Sequence, residues 1–568
     1  MSPGSRSLRE VNVEKLSQER FDVLILGGGI NGAVSAAALT ARGARVALVD
    51  RADFASATSQ ESSNLIWGGL KYLESYELGL VRKLCRARNA LLRSYPSSVR
   101  EIRFFTSHSR GFRWPLWMLV VGAWLYWLLG GAFTRRPRLL TLRDIAREEP
   151  VVAIEELDGG FEYSDAYLPD NDARFVWGFV RTALQHGCVA ANYVESLGSR
   201  REGDDWVTLA RDVVTGGDLS IRSGVLVNAC GPYADRVNEQ AGVRTEHRHV
   251  LSKGIHLVVG RITSSERALT FFADDGRLFF VLPMGSRTCI GTTDTPVDSP
   301  EVGVTAEDRR FVLENINKRL RLTRPLTEAD VIAERCGVRP LVVDAAGAGG
   351  RDWMQLSRRH AIEADPVRRH VTIFGGKLTD CLNVGQELCE EARRLGVALP
   401  RAGATWFGEP DASARKRFVD EAGRMGLDSL APRGTAERLW RRHGEGAMRL
   451  LDAIRADPGA AREAVEGSDV LRCEVEEAGR HEMVVALADF LRRRTALCQV
   501  LRRDDLRASA GLRQACRILF GEAGEARRAE YFGEAREPEE QPGGGAPQKG
   551  DVGPLHRSGS PGRSTNER

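Results

Sequence analysis

The pattern of hydrophobic and polar positions is clearest over residues 21–50 (FDVLILGGGINGAVSAAALTARGARVALVD). A short apolar run at residues 21–26 is typical of a buried strand, and a glycine-rich loop follows it directly. The next segment is rich in alanine with helical spacing, and a second apolar run ends at Asp50. This order of elements predicts a strand–helix–strand unit that binds a dinucleotide cofactor.

Four residues of this unit have distinct physical roles. Gly27 allows the chain to turn, Gly29 lets a pyrophosphate approach the backbone, and Gly32 lets the helix pack closely on the sheet. The helix then presents its N-terminus to the pyrophosphate, and Asp50 is placed to accept hydrogen bonds from the ribose hydroxyls.

Beyond this unit the spacing of hydrophobic residues alternates along the chain between the periods of helices and of strands. Helices are predicted over residues 77–95, over 172–187 with a cap, and over stretches that include 436–451 and 482–500. Strands are predicted over 188–192, 194–197, 225–232 (a buried strand with a tight turn) and 254–295 (antiparallel), and a polar loop packed against the cofactor is predicted over 57–74. Past residue 533 the chain is rich in Pro, Gly, Ser, Glu and Arg, a composition that predicts disorder.

Composition narrows the class of protein. The chain has 568 residues, enough for two or three domains, and its 42% hydrophobic and 28% charged residues are typical of a soluble globular protein. A net charge of +4 is too small to indicate a nucleic-acid partner. The ten cysteines form no CxxC pair and no histidine has metal-ligand spacing with them, so we expect free thiols, no metal and a reducing, cytoplasmic location.

Several stretches together resemble the flavin-dependent glycerol-3-phosphate dehydrogenase/oxidase family. Besides the glycine unit they are residues 62–74 (SSNLIWGGLKYLE), 252–256 (SKGIH), 275–295 (DGRLFFVLPMGSRTCIGTTDT), 337–341 (GVRPL) and 374–380 (FGGKLTD). They occur in the family's order and spacing, and the later stretch ALADFLRRRTALC resembles the family's C-terminal helical domain. The resemblance implies that the dinucleotide is FAD.

The resemblance also implies the fold class, which is α/β. It comprises a Rossmann-like FAD-binding domain of the D-amino-acid-oxidase-like type, an antiparallel-sheet substrate domain and a C-terminal helical domain. The expected division is a polar N-terminal arm (1–19), the FAD-binding domain in three parts (20–110, 166–250 and 336–407), a substrate-domain insertion (111–165), the substrate-binding domain (251–335), the C-terminal helical domain (408–532) and a disordered tail (533–568).

The implied reaction is oxidation of sn-glycerol 3-phosphate to dihydroxyacetone phosphate, with hydride transfer to flavin N5 and electrons passed to a quinone or oxygen. The resemblance assigns catalysis to His256 and Arg339, and binding of the phosphorylated substrate to Lys71, Tyr72, Arg339, Arg358 and Lys377. With the glycine unit, the cofactor-binding residues are expected to be Gly27, Gly29, Asn31, Gly32, Asp50, Thr58, Ser59, Ser63, Asn64, Gly68, Gly69, Val194, Ala229, Gly231, Gly376, Lys377, Leu378 and Thr379.

Two positions depart from the family pattern. Trp67 stands where the family usually has a histidine proposed as the base, and Lys71 stands where it usually has an arginine. Lysine cannot form the planar bidentate contact that arginine makes with a phosphate. His256 is therefore our candidate for the base, because an imidazole has a pKa matched to neutral pH.

Residues 114–134 (WPLWMLVVGAWLYWLLGGAFT) contain no charge and are long enough to span a bilayer. A single crossing would place the glycine unit and the later flavin-binding stretches on opposite sides of the membrane, so we reject it. Two alternatives stay open, a segment lying in the membrane interface and a buried helix. The family, which includes monotopic membrane enzymes, favours a peripheral location on the cytoplasmic membrane face.

Two other functions stay open at this point. One is an FAD oxidoreductase acting on a different anionic hydroxy acid or amine. The other is a protein that binds FAD but has lost turnover. A homodimer is also possible.

Overall fold

The computed structural model describes residues 6–273, 277–345 and 359–534, which form two β-sheets and a C-terminal helical region. The strands are β1 Arg20–Leu26, β2 Val46–Val49, β3 Leu65–Ile66, β4 Arg100–Ser109, β5 Arg138–Leu140, β6 Leu157–Tyr167, β7 Val189–Ala191, β8 Val194–Glu202, β9 Asp205–Asp212, β10 Asp218–Asn228, β11 His247–Gly260, β12 Ala268–Phe272, β13 Leu278–Met284, β14 Arg287–Gly291, β15 Thr295–Val297, β16 Ala333–Asp344, β17 Ala361–Asp365 and β18 His370–Phe374. The helices are α1 Leu8–Gln18, α2 Ile30–Ala41, α3 Leu78–Ser94, α4 Leu116–Leu129, α5 Leu142–Glu148, α6 Asp172–Gln185, α7 Ala234–Gln240, α8 Ala306–Arg319, α9 Cys381–Arg394, α10 Ala412–Arg424, α11 Leu427–Leu430, α12 Thr435–His443, α13 Ala447–Ala456, α14 Arg472–His481, α15 Leu497–Val500, α16 Arg503–Ala508, α17 Ala510–Phe520 and α18 Gly524–Phe532.

The first sheet has eight strands in the order β17-β18-β10-β1-β2-β7, and β9 and β8 extend it from β10. Strand β1 is parallel to both of its neighbours, β2 and β10, and its alternate side chains divide between two cores. Val23 and Ile25 pack with α2, whereas Leu24 and Leu26 pack on the opposite face of the sheet. The strand–helix–strand unit predicted from the sequence is therefore confirmed.

The second sheet has ten strands and is mostly antiparallel. The long strands β11 and β16 pair along most of their length, which brings Ser252 opposite Arg339 and His256 opposite Arg335. Strand β4 pairs with β6 in this sheet, although it lies within the range expected to be the first part of the FAD-binding domain. Most of β16 likewise lies beyond residue 335, where the substrate domain was expected to end.

The segment expected to be a polar N-terminal arm contains helix α1. Ser7 and Glu10 form a capping box at its start, and this Ser-x-x-Glu spacing is visible in the sequence. Arg9 is buried, forms an ion pair with Asp212 and donates to the Asn192 carbonyl at 3.0 Å. Polar contacts of Arg9 therefore join the buried side chain of Leu16 in docking this helix on the first sheet.

The stretch predicted as one helix over residues 482–500 is interrupted. Asp489–Arg494 is π-helical, and Leu497–Val500 is a separate short α-helix. Arg493 and Arg494 turn inward and both bind the buried carboxylate of Asp53. The predicted tail from residue 533 lies almost wholly outside the described residues.

The tryptophan-rich segment forms the short helix α4 on the molecular surface. Only Ala123 and Tyr126 of this helix are buried, whereas Trp117 is 67% exposed and Leu128 is 61% exposed. The alternative of a buried helix is therefore wrong, because the second sheet contacts only one side of α4. Within the described parts of the chain, no helix combines the length and apolar character needed to cross a bilayer.

Candidate active site

The glycine loop at the start of α2 is tightly packed at some of its positions and open at another. Gly27 adopts φ +98°, and a Cβ on Gly32 would lie 1.8 Å from the Gly27 carbonyl oxygen. Among the described residues, a Cβ on Gly29 would instead meet only the Ser59 hydroxyl, at 3.1 Å. Gly27 and Gly32 are thus required by the turn itself, whereas Gly29 leaves space next to the N-terminus of α2.

A cavity of about 440 Å³ opens above this loop at the ends of β1, β2 and β10. Its lining includes the predicted cofactor residues Gly27, Gly29, Asn31, Asp50, Thr58, Ser59, Val194, Ala229, Gly231 and Gly376. Gly32 lies one turn below, against the Gly27 backbone. The glycine loop and the tight turn after β10 therefore meet, although about two hundred residues separate them in sequence.

The residues around this cavity fit a dinucleotide such as FAD. Asn31 donates from Nδ2 to the Gly375 carbonyl at 2.9 Å, but its buried Oδ1 has no hydrogen-bond partner among the described residues. A buried, unpaired acceptor is costly, and a donor group of a bound cofactor would satisfy it. Gly376, with φ +109°, keeps the wall beside Asn31 free of side chains.

Asp50 closes the cavity at the end of β2. Its carboxylate accepts hydrogen bonds from the Gly28 amide at 2.7 Å and the Ala52 amide at 2.9 Å. Burial raises the pKa of Asp50 to about 6, and these two amide hydrogen bonds act against that rise. The carboxylate oxygens retain further lone pairs that can accept ribose hydroxyl groups.

Within the predicted cofactor loop, some residues face the cavity and others hold the loop. Ser59 accepts from the Ile30 amide at 2.9 Å, and Thr58 donates to the Val338 carbonyl at 2.7 Å. Asn64 donates to the Asp170 carbonyl at 2.6 Å and accepts from Arg335 at 3.2 Å, so it anchors the loop.

Besides Gly32, seven predicted cofactor residues lie outside the lining of this cavity, namely Ser63, Asn64, Gly68, Gly69, Lys377, Leu378 and Thr379. Most of them belong to two segments that approach each other near the second sheet. Thr379, for example, donates to the Trp67 carbonyl at 3.1 Å. Gly68 fits against Tyr126, where a Cβ would lie 2.2 Å from the hydroxyl, and Gly69 adopts φ +84°.

The predicted substrate-binding cations fall into two groups. The Lys377 ammonium lies 2.5 Å from the Tyr72 hydroxyl and 4.1 Å from the centre of that ring. Arg339 donates to Thr292 at 2.9 Å and to Asp294 at 3.2 Å, and its guanidinium lies directly against Gly254. Lys71 is exposed and precedes Tyr72 on the short 3₁₀-helix Leu70–Leu73. Arg358 lies outside the described residues.

His256 occupies the centre of β11 and is 2% exposed. Both of its ring nitrogens lack hydrogen-bond partners among the described residues. Burial, and then the nearby positive charges of Arg335 and Arg339, lower its pKa well below the usual value. The imidazole is therefore neutral at pH 7 and able to accept a proton, and a bound phosphate near Arg339 would reduce the cost of charging it.

Two buried charge clusters were not anticipated from the sequence. Arg335 donates to Asp172 at 2.7 Å, and Arg88 donates to Asp165 at 2.7 Å. The Asp165 carboxylate also accepts from Tyr126 at 2.8 Å. An isolated arginine or aspartate in a sequence is most often a surface charge, so no local pattern marks these residues as buried partners.

Comparisons with known proteins agree with the geometry. Residues 22–364 match the model of the FAD-dependent oxidoreductase family (DAO), and residues 398–519 match that of the C-terminal domain of alpha-glycerophosphate oxidase. The chain is 31% identical to glycerol-3-phosphate dehydrogenase 2 of Mycobacterium tuberculosis over 496 residues, covering 86% of this chain and 82% of that protein. It is 32% identical to D-erythritol 1-phosphate dehydrogenase of Brucella abortus over 396 residues, covering 68% of this chain and 76% of that protein.

The fold also matches a solved structure. The crystal structure of glycerol-3-phosphate dehydrogenase from Bacillus halodurans, complexed with FAD, aligns with a TM-score of 0.68 at 24% identity and covers 94% of this chain and 95% of that one. The fold class and the resemblance found in the sequence are thus confirmed. The chain belongs to the FAD-dependent oxidoreductase family, among the glycerol-3-phosphate dehydrogenases, and it is an FAD-dependent enzyme.

Proposed function

We propose that this enzyme oxidises sn-glycerol 3-phosphate to dihydroxyacetone phosphate. The observation that carries the proposal is the position of the Arg339 guanidinium, which lies against Gly254 on β11 and donates to Thr292, next to the Gly291 that pairs with His256. This puts a cation near the His256 imidazole, whose two ring nitrogens have no hydrogen-bond partner among the described residues. A secondary alcohol with a phosphate group needs a proton acceptor at its hydroxyl and a cation at its phosphate. This pair of residues supplies both groups.

When bound, FAD supplies the acceptor for the carbinol hydride. The protein residues orient the substrate and accept the proton. Arg339 and Lys377 bind the phosphate through charge-assisted hydrogen bonds, and Arg339 is already held by Thr292 and Asp294. His256 Nδ1 or Nε2 accepts the hydroxyl proton.

Anaerobic addition of glycerol 3-phosphate to the purified holoenzyme tests this function. Bleaching of the flavin absorbance is expected within the first turnover. If another phosphorylated polyol, hydroxy acid or amine bleaches the flavin and glycerol 3-phosphate does not, the substrate assignment is wrong. If none of them does, the chain binds FAD without turnover.

Erythritol 1-phosphate is the second candidate substrate. It is favoured by the 32% identity to the Brucella abortus D-erythritol 1-phosphate dehydrogenase, which is similar to that for the glycerol-3-phosphate dehydrogenases. The ratio of kcat/KM for the two phosphates decides between them, because kcat/KM measures discrimination between competing substrates.

The role of His256 is tested by His256→Ala. Loss of a positioned base is expected to slow flavin reduction by about two to four orders of magnitude, with a smaller change in substrate binding. Arg339→Ala and Lys377→Ala should instead weaken substrate binding strongly, because the phosphate loses a charged partner. If His256→Ala bleaches as fast as the parent, the proton goes to another group, such as a water held by Arg339.

The pH profile offers an independent check on His256. The neutral imidazole is the active form and its pKa is lowered, so the rate of flavin reduction should stay level from pH 8 down to about 6.5 and fall only at more acidic pH. A rate that already falls between pH 8 and 7 would contradict a base with a lowered pKa.

We also propose that the enzyme binds a membrane surface through α4 and passes electrons to a quinone there. The exposed side chains of Trp117, Trp124 and Leu128 form an apolar face, and exposed Arg113 and Arg135 flank it. Tryptophan and basic residues are favoured at the bilayer interface. Comparing the reoxidation rate of the reduced enzyme with a quinone in vesicles and with dissolved oxygen tests the choice of acceptor.

A further inference from the structure

Trp67 stands where the family usually has a histidine, and the structure shows what its side chain does. The indole Nε1 donates to the Tyr163 hydroxyl at 3.2 Å, so the ring is fastened to β6 in the second sheet. An indole nitrogen can only donate, so Trp67 cannot serve as a base. Its contacts therefore point to a different role.

The backbone around Trp67 is held as firmly as the side chain. The Trp67 carbonyl accepts from Thr379, and the next amide, Gly68 N–H, donates to the buried carboxylate of Asp165 at 3.1 Å. Asp165 is itself held by Arg88 and Tyr126. Three fixed points on two consecutive residues leave this turn little freedom.

The turn leads directly to the substrate-side residues. Gly69 starts the 3₁₀-helix that carries Tyr72, and the Trp67 and Tyr72 rings lie 6.2 Å apart at a tilted angle. Tyr72 contacts the Lys377 ammonium, and Lys377 lies two residues from Thr379, which returns to Trp67. These contacts form a closed circuit of four residues, although about three hundred positions separate its two segments.

We propose that Trp67 is a positioning residue that sets the location of the Tyr72–Lys377 pair, and through it the site for the anionic group of the substrate. The inference rests on the proposed function for the identity of the substrate, but the geometry of the circuit does not depend on it. Trp67 replaces a hydrogen-bonding imidazole with a rigid aromatic support that fills the space between Tyr72 and Tyr163.

The test uses the holoenzyme and inorganic phosphate as the probe, with phosphate binding measured by isothermal titration calorimetry. Trp67→Phe keeps an aromatic ring but removes the donor, and Tyr163→Phe removes the acceptor while leaving Trp67 intact. Each is expected to raise the dissociation constant of phosphate by about 3- to 10-fold, the usual effect of losing one hydrogen bond. Trp206→Phe on β9 is the matched control, because it likewise removes a buried indole donor, here from a hydrogen bond to the Arg368 carbonyl, and it should leave the constant unchanged.

A double-mutant cycle with Lys377→Ala separates positioning from general destabilisation. If Trp67 acts through Lys377, Trp67→Phe should have no further effect on phosphate binding once Lys377 is absent. Additive effects of the two changes would overturn the proposal, as would phosphate binding by Trp67→Phe at the parent affinity. In steady state, Trp67→Phe should raise KM more than it lowers kcat.

The outcomes distinguish this inference from the proposed function. If glycerol 3-phosphate fails to bleach the flavin but the cycle with phosphate shows coupling, the substrate assignment fails and the positioning role stands. If glycerol 3-phosphate bleaches the flavin but the effects in the cycle are additive, the substrate assignment stands and the positioning role of Trp67 fails. Retention of FAD by both Phe variants, measured by absorbance, shows that the site is intact in each.

Discussion

Helices α2 and α4 are both apolar and of similar length, yet they occupy opposite environments. In α2 every residue after Ile30 is buried, and most of them are alanine or glycine. In α4 the residues are mostly large, and Ala123 and Tyr126 are its buried members. The comparison shows that apolar character alone does not decide whether a helix is buried.

The neighbouring elements explain the difference. The small residues of α2 let it lie close to β1 and β2, with α6 and α9 covering its other sides. Helix α4 instead packs against β6, α3 and the 3₁₀-helix Leu70–Leu73 through one side, so an apolar face stays exposed. An exposed face of this kind indicates a binding surface rather than a core.

Filling the space at the start of α2 should have the largest effect. Gly29→Val places a branched side chain beside Ser59, where the pyrophosphate of FAD is expected, and should give colourless protein. The flavin content of the purified variant is measured by its absorbance near the flavin maximum. Gly79→Val is the control, because a Cβ there meets no atom of the described residues within 4 Å. Stoichiometric flavin in Gly29→Val would contradict the placement of the cofactor.

The folded protein should become less stable at alkaline pH near α9, the helix that packs against α2. His360 forms hydrogen bonds of 2.7 Å with Asp380 and with Glu387 of α9. Burial lowers the pKa of His360, but these two hydrogen bonds outweigh burial and raise the pKa to about 9. A raised pKa stabilises the folded state fully below the unfolded value near 6.5, and this stability is lost as pH rises through 9.

The loss is expected to reach about 1–3 kcal/mol in the free energy of unfolding between pH 6.5 and 9.5, after allowance for partial exposure of Glu387. Denaturant titrations at several pH values measure it. His360→Gln should remove most of this dependence; an unchanged pH slope in that variant would assign the effect to other groups.

On the inner side of α4, Tyr126→Phe removes one donor from the buried Asp165 carboxylate. Because Arg88 and the Gly68 amide still bind Asp165, we expect a loss of only about 1–2 kcal/mol in the free energy of unfolding. The effect should appear as a lower denaturant midpoint with an unchanged slope. A loss well below this range would mean that Tyr126 does not anchor the helix.

On the outer side of α4, replacing Trp117, Trp124 and Leu128 with Ser should change stability least, by about 0.5 kcal/mol or less for each exposed site. The same variant should move from the membrane to the soluble fraction while keeping its flavin, because the exposed face has lost its apolar groups. Sedimentation with lipid vesicles measures this shift. A variant that still sediments with the vesicles would contradict the proposed role of this face.

The sequence was sufficient where local backbone geometry decides the structure. The glycine loop and the acidic end of β2 each lie within a few residues of the element that they define, and both are found as predicted. The capped helix predicted from residue 172 is found as α6, and Asn171 is its cap. The family stretches also located the strands that carry His256 and Arg339. The Ser-x-x-Glu spacing of the α1 capping box is visible in the sequence as well, although the apolar residues of α1 do not recur with a helical period.

Tertiary structure alone decided which distant groups meet. The contact between Lys377 and Tyr72, the burial of Arg335 against Asp172, and the inward turn of Arg493 and Arg494 all join residues more than a hundred positions apart. A window of sequence shows the spacing of apolar and charged residues but not the partner that removes them from water. For the same reason, the sequence determined that α4 is apolar, and only the packing of the second sheet against one of its sides determined which residues face outward.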